Sequence, residues 1–380
     1  AACGVSLSGE RGLKIFYSPL HGTGITTVYP VLKRLGFDVT LCPATSNLSG
    51  AFEKVTFNIP NPEVVESFSA SLPLAQQAGA DILLSTDPDA DRIGIMVNHR
   101  GQWLFLTGNE IAIILANYAI DRLRAAGRLT PQRVIVKTDV TTALIDQMAR
   151  VNHITCVGDL LVGFKYVAEE MNKLESAGRG SDFIFGCEES HGYLTGTYAR
   201  DKDAAGAAVW IAEYAAQLKQ RGRTLVDALE EIYSAYGYCH NYLTEIRLLG
   251  AKGMEQIAAI MDHFRDRAVE RFGDFSVAEK IDRWQGAPQP HLSETDTSAR
   301  NVIVFRLHNV PETTGLRVTV RPSGTEPKIK MYFELVGKPC RPADLAAAKQ
   351  ALVDVRLRLE KTFMRYCYGL IGVDFPERGF

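Results

Sequence analysis

The sequence predicts an α/β protein: two successive α/β domains of related topology followed by an α+β C-terminal domain. Three observations carry this. From residue 13 onward, short apolar runs alternate with helix-period patterns, the mark of strands joined by crossover helices. Two of the runs, 81–84 and 183–187, pass directly into polar and acidic clusters, and the C-terminal ends of strands are where open α/β sheets bind ligands. Beyond Tyr236-Gly237-Tyr238 the alternation gives way to strand-like runs bracketed by two helical patterns. The expected domains are 1–106, 107–236 and 237–380.

A chain of 380 residues has room for two or three domains that each bury a core. Its 46% hydrophobic and 23% charged residues are an ordinary globular balance, and no uninterrupted apolar run reaches the length of a membrane span. A net charge of −2 and a pI near 6.5 give no overall basic field, so neither nucleic acid nor a membrane is an expected partner, while local anion sites are allowed. The seven cysteines (Cys3, Cys42, Cys156, Cys187, Cys239, Cys340, Cys367) are scattered and never spaced as Cys-x-x-Cys. They suit neither a disulfide framework nor a zinc site, and the expected setting is a reducing cytoplasm. The chain opens with neither a signal-peptide pattern nor a Met, as processing or truncation of a longer protein would leave it.

In the first domain, 13–17 reads as a strand, 25–35 as a helix stopped by Gly36, and 39–42 as the next strand. A loop rich in Asn and Pro (Asn58, Pro60, Asn61, Pro62) leads to a helix expected over 63–77, and 81–85 is the third strand. Then comes Asp87-Pro88-Asp89-Ala90-Asp91-Arg92. Each pair of these carboxylates, about 4 Å apart at an effective dielectric near 20, repels by roughly 4 kcal/mol, so a cation is the natural occupant. Asp87, Asp89 and Asp91 can aim oxygens at one point, which suits a hard ion such as Mg²⁺ with ligands at about 2.1 Å, and Pro88 fixes one φ of the turn. An EF-hand calcium loop is excluded, because Arg92 stands where that loop needs Gly and Asn98 where it needs Glu. On these residues alone, a solvated acidic turn is the other reading. The turn 18–24 (Ser18-Pro19-Leu20-His21-Gly22-Thr23-Gly24) lacks the dinucleotide and Walker spacings, so its glycines are expected to turn the backbone. His21 is either structural or lines the site. Runs 92–97 and 103–106 close the domain as a hairpin.

In the second domain, 109–124 is an amphipathic helix, 134–136 a strand, 141–150 a helix, 154–157 a strand and 162–173 a helix. The strand 183–187 runs into Glu188-Glu189-Ser190-His191-Gly192. Two acids, a hydroxyl and an imidazole on a glycine-terminated loop suit the paired hydroxyls of a sugar; a solvated turn is the alternative. Downstream, Arg200 and Lys202 lie within reach of an anion, or belong to a solvated helix start capped by Asp203, the helix continuing to Gln220. In the third domain, strands are expected at 242–248, 302–307, 316–320 and 329–336. Ile257, Met261, Phe264 and Ala268 mark one helix face, and Leu345, Leu352, Val355, Leu359 and Phe363 another, each most simply a core face. Arg321-Pro322-Ser323-Gly324-Thr325-Glu326-Pro327-Lys328 joins two strands, and its guanidinium, hydroxyls and backbone N–H groups suit a phosphate; a plain Pro/Gly hairpin turn is the alternative.

A metal loop, a polyol loop and a phosphate loop in that order resemble those of the α-D-phosphohexomutase superfamily, which comprises the phosphoglucomutases and phosphomannomutases. The segments 18–24 and Gly163-Phe164-Lys165 resemble it too, so the likeness runs over nearly the whole chain. It implies a four-domain enzyme in which a phosphoserine of the first domain gives its phosphoryl group to a hexose phosphate. The bisphosphate so formed turns over and returns the other phosphate, while Mg²⁺ stabilises the transferring charge. It further implies Asp87, Asp89 and Asp91 as metal ligands, Arg92 as a neighbour of the transferring group and Lys202 in acid/base work. Glu188 and Ser190 would contact sugar hydroxyls with Arg200 nearby, and Arg321, Ser323, Gly324, Thr325 and Lys330 would hold the distal phosphate. Glucose phosphate is the first expected substrate, from the Glu-Glu-Ser loop, with mannose and pentose phosphates as alternatives.

The departure is equally informative. The family's serine loop, Thr-x-Ser-His-Asn-Pro, occurs nowhere in the 380 residues. The chain is therefore expected to be the second to fourth domains of such an enzyme, partnered by a missing N-terminal domain and inactive alone for want of the nucleophile. A non-catalytic protein that binds sugar phosphates is the alternative of a different class.

Overall fold

Two successive sheets share one topology. In the first, β1 (Lys14–Ser18) pairs in parallel with β2 (Asp38–Leu41) and with β3 (Ile82–Thr86), and β4 (Ile93–His99) and β5 (Gln102–Leu106) add antiparallel, giving the order β2-β1-β3-β4-β5. In the second, β6 (Val134–Thr138) pairs in parallel with β7 (Thr155–Leu160) and β8 (Phe183–Glu188), and β9 (Gly192–Leu194) adds antiparallel, giving β7-β6-β8-β9. In each, the chain leaves the first strand to one side and returns on the other. The crevice at that reversal lies at the C-terminal ends of β1 and β3, and of β6 and β8. The pairing of Ser18 with Ser85 therefore sets the 18–24 turn beside the acidic loop.

The structure, a computed structural model, describes residues 12–286, 292–294, 296–323 and 327–376. It divides into two units: Ala1–Thr141 with Ile145–Ile232, which holds both of these mixed sheets, and Thr142–Leu144 with Tyr233–Phe380. No helix among the described residues is long and apolar enough to cross a membrane.

In the first unit the helices are α1 (Val28–Arg34), α2 (Leu72–Gln77), α3 (Gly108–Ala125), α4 (Leu144–Val151), α5 (Phe164–Ser176), α6 (Ala204–Lys219) and α7 (Leu225–Tyr236), the first residue of α4 and the end of α7 belonging to the second. The helix expected over 63–77 is broken: Val65–Phe68 forms a 3₁₀ turn and α2 begins only at Leu72. Ser67 Oγ donates to the Asn61 carbonyl at 2.6 Å, and the Thr56 and Ser69 hydroxyls bond at 2.7 Å, so side chains compete for the groups a helix needs. Pro73 then sits in the first turn of α2, where its missing N–H costs nothing. Helix α4 likewise starts late, because the Thr138 and Thr141 hydroxyls bond each other at 2.7 Å before it. Helix α3 opens with a capping box between Thr107 and Glu110, and it is buried on more than the one face expected, continuously from Ile111 to Ala116. Strand β9 and helix α7 were not among the expected elements; Leu225, Leu229, Ile232 and Tyr236 stand at helical spacing in the latter.

The second unit is an antiparallel sheet with helices, as α+β predicts. β10 (Cys239–Arg247), β11 (Arg271–Phe272), β12 (Phe275–Asp282), β13 (Ile303–Leu307), β14 (Gly315–Pro322) and β15 (Lys328–Val336) take the order β10-β15-β14-β13-β12-β11. The helices are α8 (Gly250–Asp266), the short α9 (Arg283–Gly286) and α10 (Asp296–Ala299), and α11 (Leu345–Leu370). β11 and β12 lie outside the expected strands. Of the faces expected of α8 and α11, Ile257, Met261, Phe264, Leu352, Val355, Leu359 and Phe363 meet in one core, where Phe264 has ring neighbours in Phe272, Phe305 and Phe363 at 6.1, 5.1 and 5.7 Å, whereas Ala268 lies past the end of α8 and is exposed.

Candidate functional site

The acidic loop is a tight turn made to order by its backbone. Asp87 Oδ1 accepts the N–H groups of Asp91 and Arg92 at 3.1 and 3.0 Å, and Ala90 takes a left-handed conformation (φ 59°) to close the turn. Gly22 presses against it from the 18–24 turn: a Cβ there would stand 2.2 Å from Pro88 Cα. Thr23 secures the contact, its N–H donating to the Pro88 carbonyl at 2.7 Å and its hydroxyl to the same oxygen at 3.0 Å.

Ligand oxygens of Asp87, Asp89 and Asp91 all lie within 4.8 Å of one another. Around an octahedral ion with ligands at about 2.1 Å, opposite oxygens stand about 4.2 Å apart, so small side-chain rotations bring the three onto one ion. Asp91 Oδ1 is buried with no hydrogen-bond partner, Arg92 Nε standing 3.7 Å away, so it retains acceptor capacity for a metal ion. The residues present thus fit a hard divalent metal. Two side chains answer the loop's charge. Arg92 Nε donates to Asp87 Oδ2 at 2.6 Å, and its NH1 reaches Glu63 at 2.7 Å. Lys202 Nζ lies 2.9 Å from Asp91 Oδ2 and 3.2 Å from Asp201.

These contacts fix protonation. Burial pushes the Asp87 carboxyl up to about 6, against the pull of the Arg92 backbone and side chain. Burial also works against the Lys202 ammonium, but the Asp91 hydrogen bond and charge outweigh it and raise its pKa.

The 188–192 loop meets the acidic loop directly. Arg92 and Gly192 form a β-bridge, and the Ile93 N–H donates to the His191 carbonyl at 3.1 Å. A Cβ on Gly192 would stand 2.5 Å from Lys202 Cδ, so the lysine stem runs along this glycine toward Asp91. Glu188 is buried; burial first and the Glu189 charge second push its pKa up to about 7. Its Oε1 has no hydrogen-bond partner, while Ser190 Oγ donates to Oε2 at 3.4 Å.

The other expected residues make contacts of their own. The His191 imidazole is buried, with Nδ1 3.1 Å from the Ile93 carbonyl oxygen and the ring stacked on Phe105, so it is no sugar ligand in this arrangement. Arg200 is committed elsewhere: its guanidinium binds Asn172 at 2.9 Å, Glu175, and the carbonyls of Thr197 and Ala199. A guanidinium so satisfied has little left to offer an anion. His21 is buried, with Nδ1 2.9 Å from the Asn47 carbonyl oxygen. Asp203 does cap α6, accepting the N–H groups of Ala205 and Gly206 at 2.9 Å each. The sequence reading missed Glu63, which anchors Arg92; the Asn61 side chain that accepts the Glu63 N–H at 3.0 Å, a local Asx turn, was the available signal.

The 321–328 segment, where a phosphate site is expected, belongs to the second unit. Arg321 and Lys330 are direct cross-strand partners on β14 and β15, with Glu245 facing Lys330 from β10, so all three point to one face. Arg321 Nε is buried and has no hydrogen-bond partner among the described residues, and the Ser323 N–H closes the turn on the Lys328 carbonyl at 2.8 Å. Gly324 and Thr325 lie outside the described residues.

Comparison with known proteins matches three family models: phosphoglucomutase/phosphomannomutase alpha/beta/alpha domain II over residues 2–101, alpha/beta/alpha domain III over 107–236, and the C-terminal domain over 304–340. A phosphoglucomutase of Staphylococcus aureus (strain N315) is 34% identical over 328 residues, 86% of this chain and 57% of that protein. The chain thus spans little more than half the length of such relatives. Among solved structures, the open form of the phosphoglucomutase pp63/parafusin from Paramecium superposes with a TM-score of 0.62 at 17% identity, covering 96% of this chain and 59% of that one. A phosphoglucomutase/phosphomannomutase family protein from Burkholderia thailandensis gives 0.58 at 15%, covering 92% and 61%. At these identities the structures speak for the fold.

Proposed function

This chain belongs to the α-D-phosphohexomutase superfamily, and on that premise we propose that it is the metal-, sugar- and phosphate-binding part of an enzyme that interconverts hexose 1-phosphate and 6-phosphate. The observation that carries the reading is the convergence of Asp87, Asp89 and Asp91, with Lys202 on Asp91 and the Glu188 loop bridged to Arg92. In this reading the three domains are 1–106, 107–236 and 237–380. Glucose phosphate is the proposed substrate, supported by the names of the relatives at 34% identity.

Asp87, Asp89 and Asp91 hold Mg²⁺, which when bound stabilises charge on a transferring phosphoryl group. Arg92, fixed by Asp87 and Glu63, keeps a positive charge beside that group. Glu188 and Ser190 accept hydrogen bonds from sugar hydroxyls, and the unsatisfied Oε1 of Glu188 is an acceptor in wait for one. Lys202, its proton held at Nζ by Asp91, is the general acid that can protonate an oxygen at the reacting end of the sugar. Arg321, Ser323 and Lys330, with Gly324 and Thr325, take the distal phosphate. Arg200 is left out of substrate contact. The phosphoryl donor is a serine outside this chain, since the serine loop is absent from its sequence. The free cysteines among the described residues support a reducing, cytoplasmic setting.

The test is an assay of glucose 1-phosphate conversion with Mg²⁺ and a bisphosphate activator. The chain alone is expected to show no turnover, and a fusion to a domain bearing the serine loop is expected to restore it. Turnover by the chain alone refutes the external nucleophile; a fusion silent on glucose, mannose and pentose phosphates refutes the mutase reading.

A further inference from the structure

The loop between β2 and α2 holds apolar side chains out in water. Phe57 is 79% exposed, and Leu48, Ile59, Val64 and Val65 are exposed as well. The loop is nevertheless tightly built. Val55 is buried beneath it, Thr56 Oγ1 donates to the Glu66 carbonyl at 2.9 Å, and Asn58 Nδ2 donates to the Ala51 carbonyl at 2.6 Å. Ser67 Oγ reaches the carbonyls of Asn61 and Ile59 at 2.6 and 3.4 Å. These bonds fold 56–59 against 65–67, so the exposed side chains of the two stretches form one patch. Phe57 and Asn58 both take left-handed backbone conformations, with φ of 59° and 55°. Asn visits that region readily, but for Phe it carries a conformational cost, so the ring is presented to solvent against a local preference.

Both arms of this loop abut the acidic loop. On one arm, His21 Nδ1 lies 2.9 Å from the Asn47 carbonyl oxygen and the Ser49 N–H donates to the His21 carbonyl at 3.4 Å, which fixes the backbone on either side of Leu48. The next residue, Gly22, is the one packed on Pro88. On the other arm, Asn61 and Glu63 accept from Arg92 NH1 at 3.4 and 2.7 Å, and Val64 follows Glu63 in the chain. The apolar patch therefore borders the three carboxylates.

We propose that this patch seats the domain that carries the phosphoryl-donating serine, with Phe57 and Ile59 as its central contacts. This rests on the reading above, in which that serine lies outside the chain. For transfer, the serine oxygen comes within a few ångströms of the metal ion and of Arg92. A compact domain of about 100 residues has a radius of gyration of about 13 Å, so one that reaches the acidic loop overlies the arms beside it. The relatives have the length for such a domain, the chain covering 57% of one of them. Glu53, Lys54 and Glu66 are exposed around the patch. An apolar centre with a charged border is the anatomy of a protein–protein contact, and aromatic side chains dominate the energy of such contacts.

Hydroxyl-radical footprinting of the full chain and of its fusion to a serine-loop domain tests it. Oxidation of Phe57 and Ile59 is expected to slow about tenfold in the fusion, as for a domain docked about nine-tenths of the time. The exposed Val151, ahead of β7 at the end of the second sheet away from the 188–192 loop, is expected to react equally in both. Phe57→Asp removes no packing, and Asp tolerates the left-handed backbone, so urea unfolding of the chain should not change. In the fusion, the same substitution should return Ile59 to the rate seen in the chain alone. Protection is read whether or not the fusion turns over. A fusion that converts sugar phosphates with Phe57 and Ile59 unprotected overturns the proposal and leaves the mutase reading standing. A silent fusion with both protected refutes the mutase reading and leaves the docking surface standing. Full protection of Ile59 in the Phe57→Asp fusion overturns the proposal. So does protection in the chain alone that grows with concentration alongside dimers in sedimentation, which assigns the patch to a second copy.

Discussion

Replacing Gly22 by Ala should loosen the acidic loop without touching an acidic residue. The backbone there (φ −102°, ψ −175°) is open to alanine, so conformational strain contributes nothing. The new Cβ would stand 2.2 Å from Pro88 Cα, 2.5 Å from its oxygen and 2.7 Å from its carbonyl carbon, where ordinary contact begins at 3.4 Å. Backbone atoms cannot rotate away, so the turn and the loop must part by about 1 Å. That separation takes the Thr23 N–H and hydroxyl bonds to Pro88, now 2.7 and 3.0 Å, to or past their useful limit. Two bonds at about 1 kcal/mol each, with overpacking of about 1–3 kcal/mol, give an expected destabilisation of about 3–5 kcal/mol. Asp89, next to Pro88, moves with the loop, and Mg²⁺ affinity should fall about tenfold as the ligand set loses its geometry. Urea unfolding and a calorimetric Mg²⁺ titration measure the two effects. Gly50→Ala, with nothing within 4 Å of its Cβ, is the matched control and should be neutral. Wild-type stability and metal affinity in Gly22→Ala would refute the claim that the 18–24 turn braces the metal loop.

Further outcomes follow from burial. Glu188 is an acid whose folded pKa, about 7, exceeds its usual 4.5, so its contribution is intact below pH 4.5 and is lost as pH rises through 7. Glu188→Gln should therefore be more stable than the wild type by up to about 3 kcal/mol at pH 8, with no such advantage at pH 4, as urea unfolding at the two values will show. His191 runs the other way: burial lowers it from 6.5 to about 4, so the neutral ring's contribution is intact above pH 6.5 and is lost as pH falls through 4. The stability difference between wild type and His191→Gln should narrow by about 3 kcal/mol over that window, and a pH-independent difference would contradict a buried neutral imidazole. Phe264→Ala, at a fully buried ring with aromatic neighbours, should destabilise the second unit by about 3–5 kcal/mol; thermal unfolding unchanged from wild type would count against that core.

Much of this was legible in the chain because it is written in local periodicity. The strands at 13–17, 81–85 and 183–187 are short apolar runs and the helix faces of Phe264 and Phe363 repeat every 3.6 residues, and each lies where the pattern places it. The helix expected over 63–77 failed for a reason periodicity cannot register, namely serine and threonine hydroxyls that bond loop carbonyls. Short strands such as β9 and β11 carry too few residues for a period to show.

The sequence by itself determined the two-plus-one architecture, the three carboxylates at alternate positions and the polar loops that end particular strands. Only the tertiary structure decided which side chains answer them. Lys202 on Asp91, Glu63 on Arg92, Gly22 against Pro88 and the inward turn of His191 all join residues distant in the chain. A charge or an imidazole reads the same in sequence whether it faces a ligand, a partner or the core. What settles it is the crossover that sets Ser18 beside Ser85 and the bridge that sets Gly192 beside Arg92, because burial and electrostatic pairing depend on distances that only the folded chain defines.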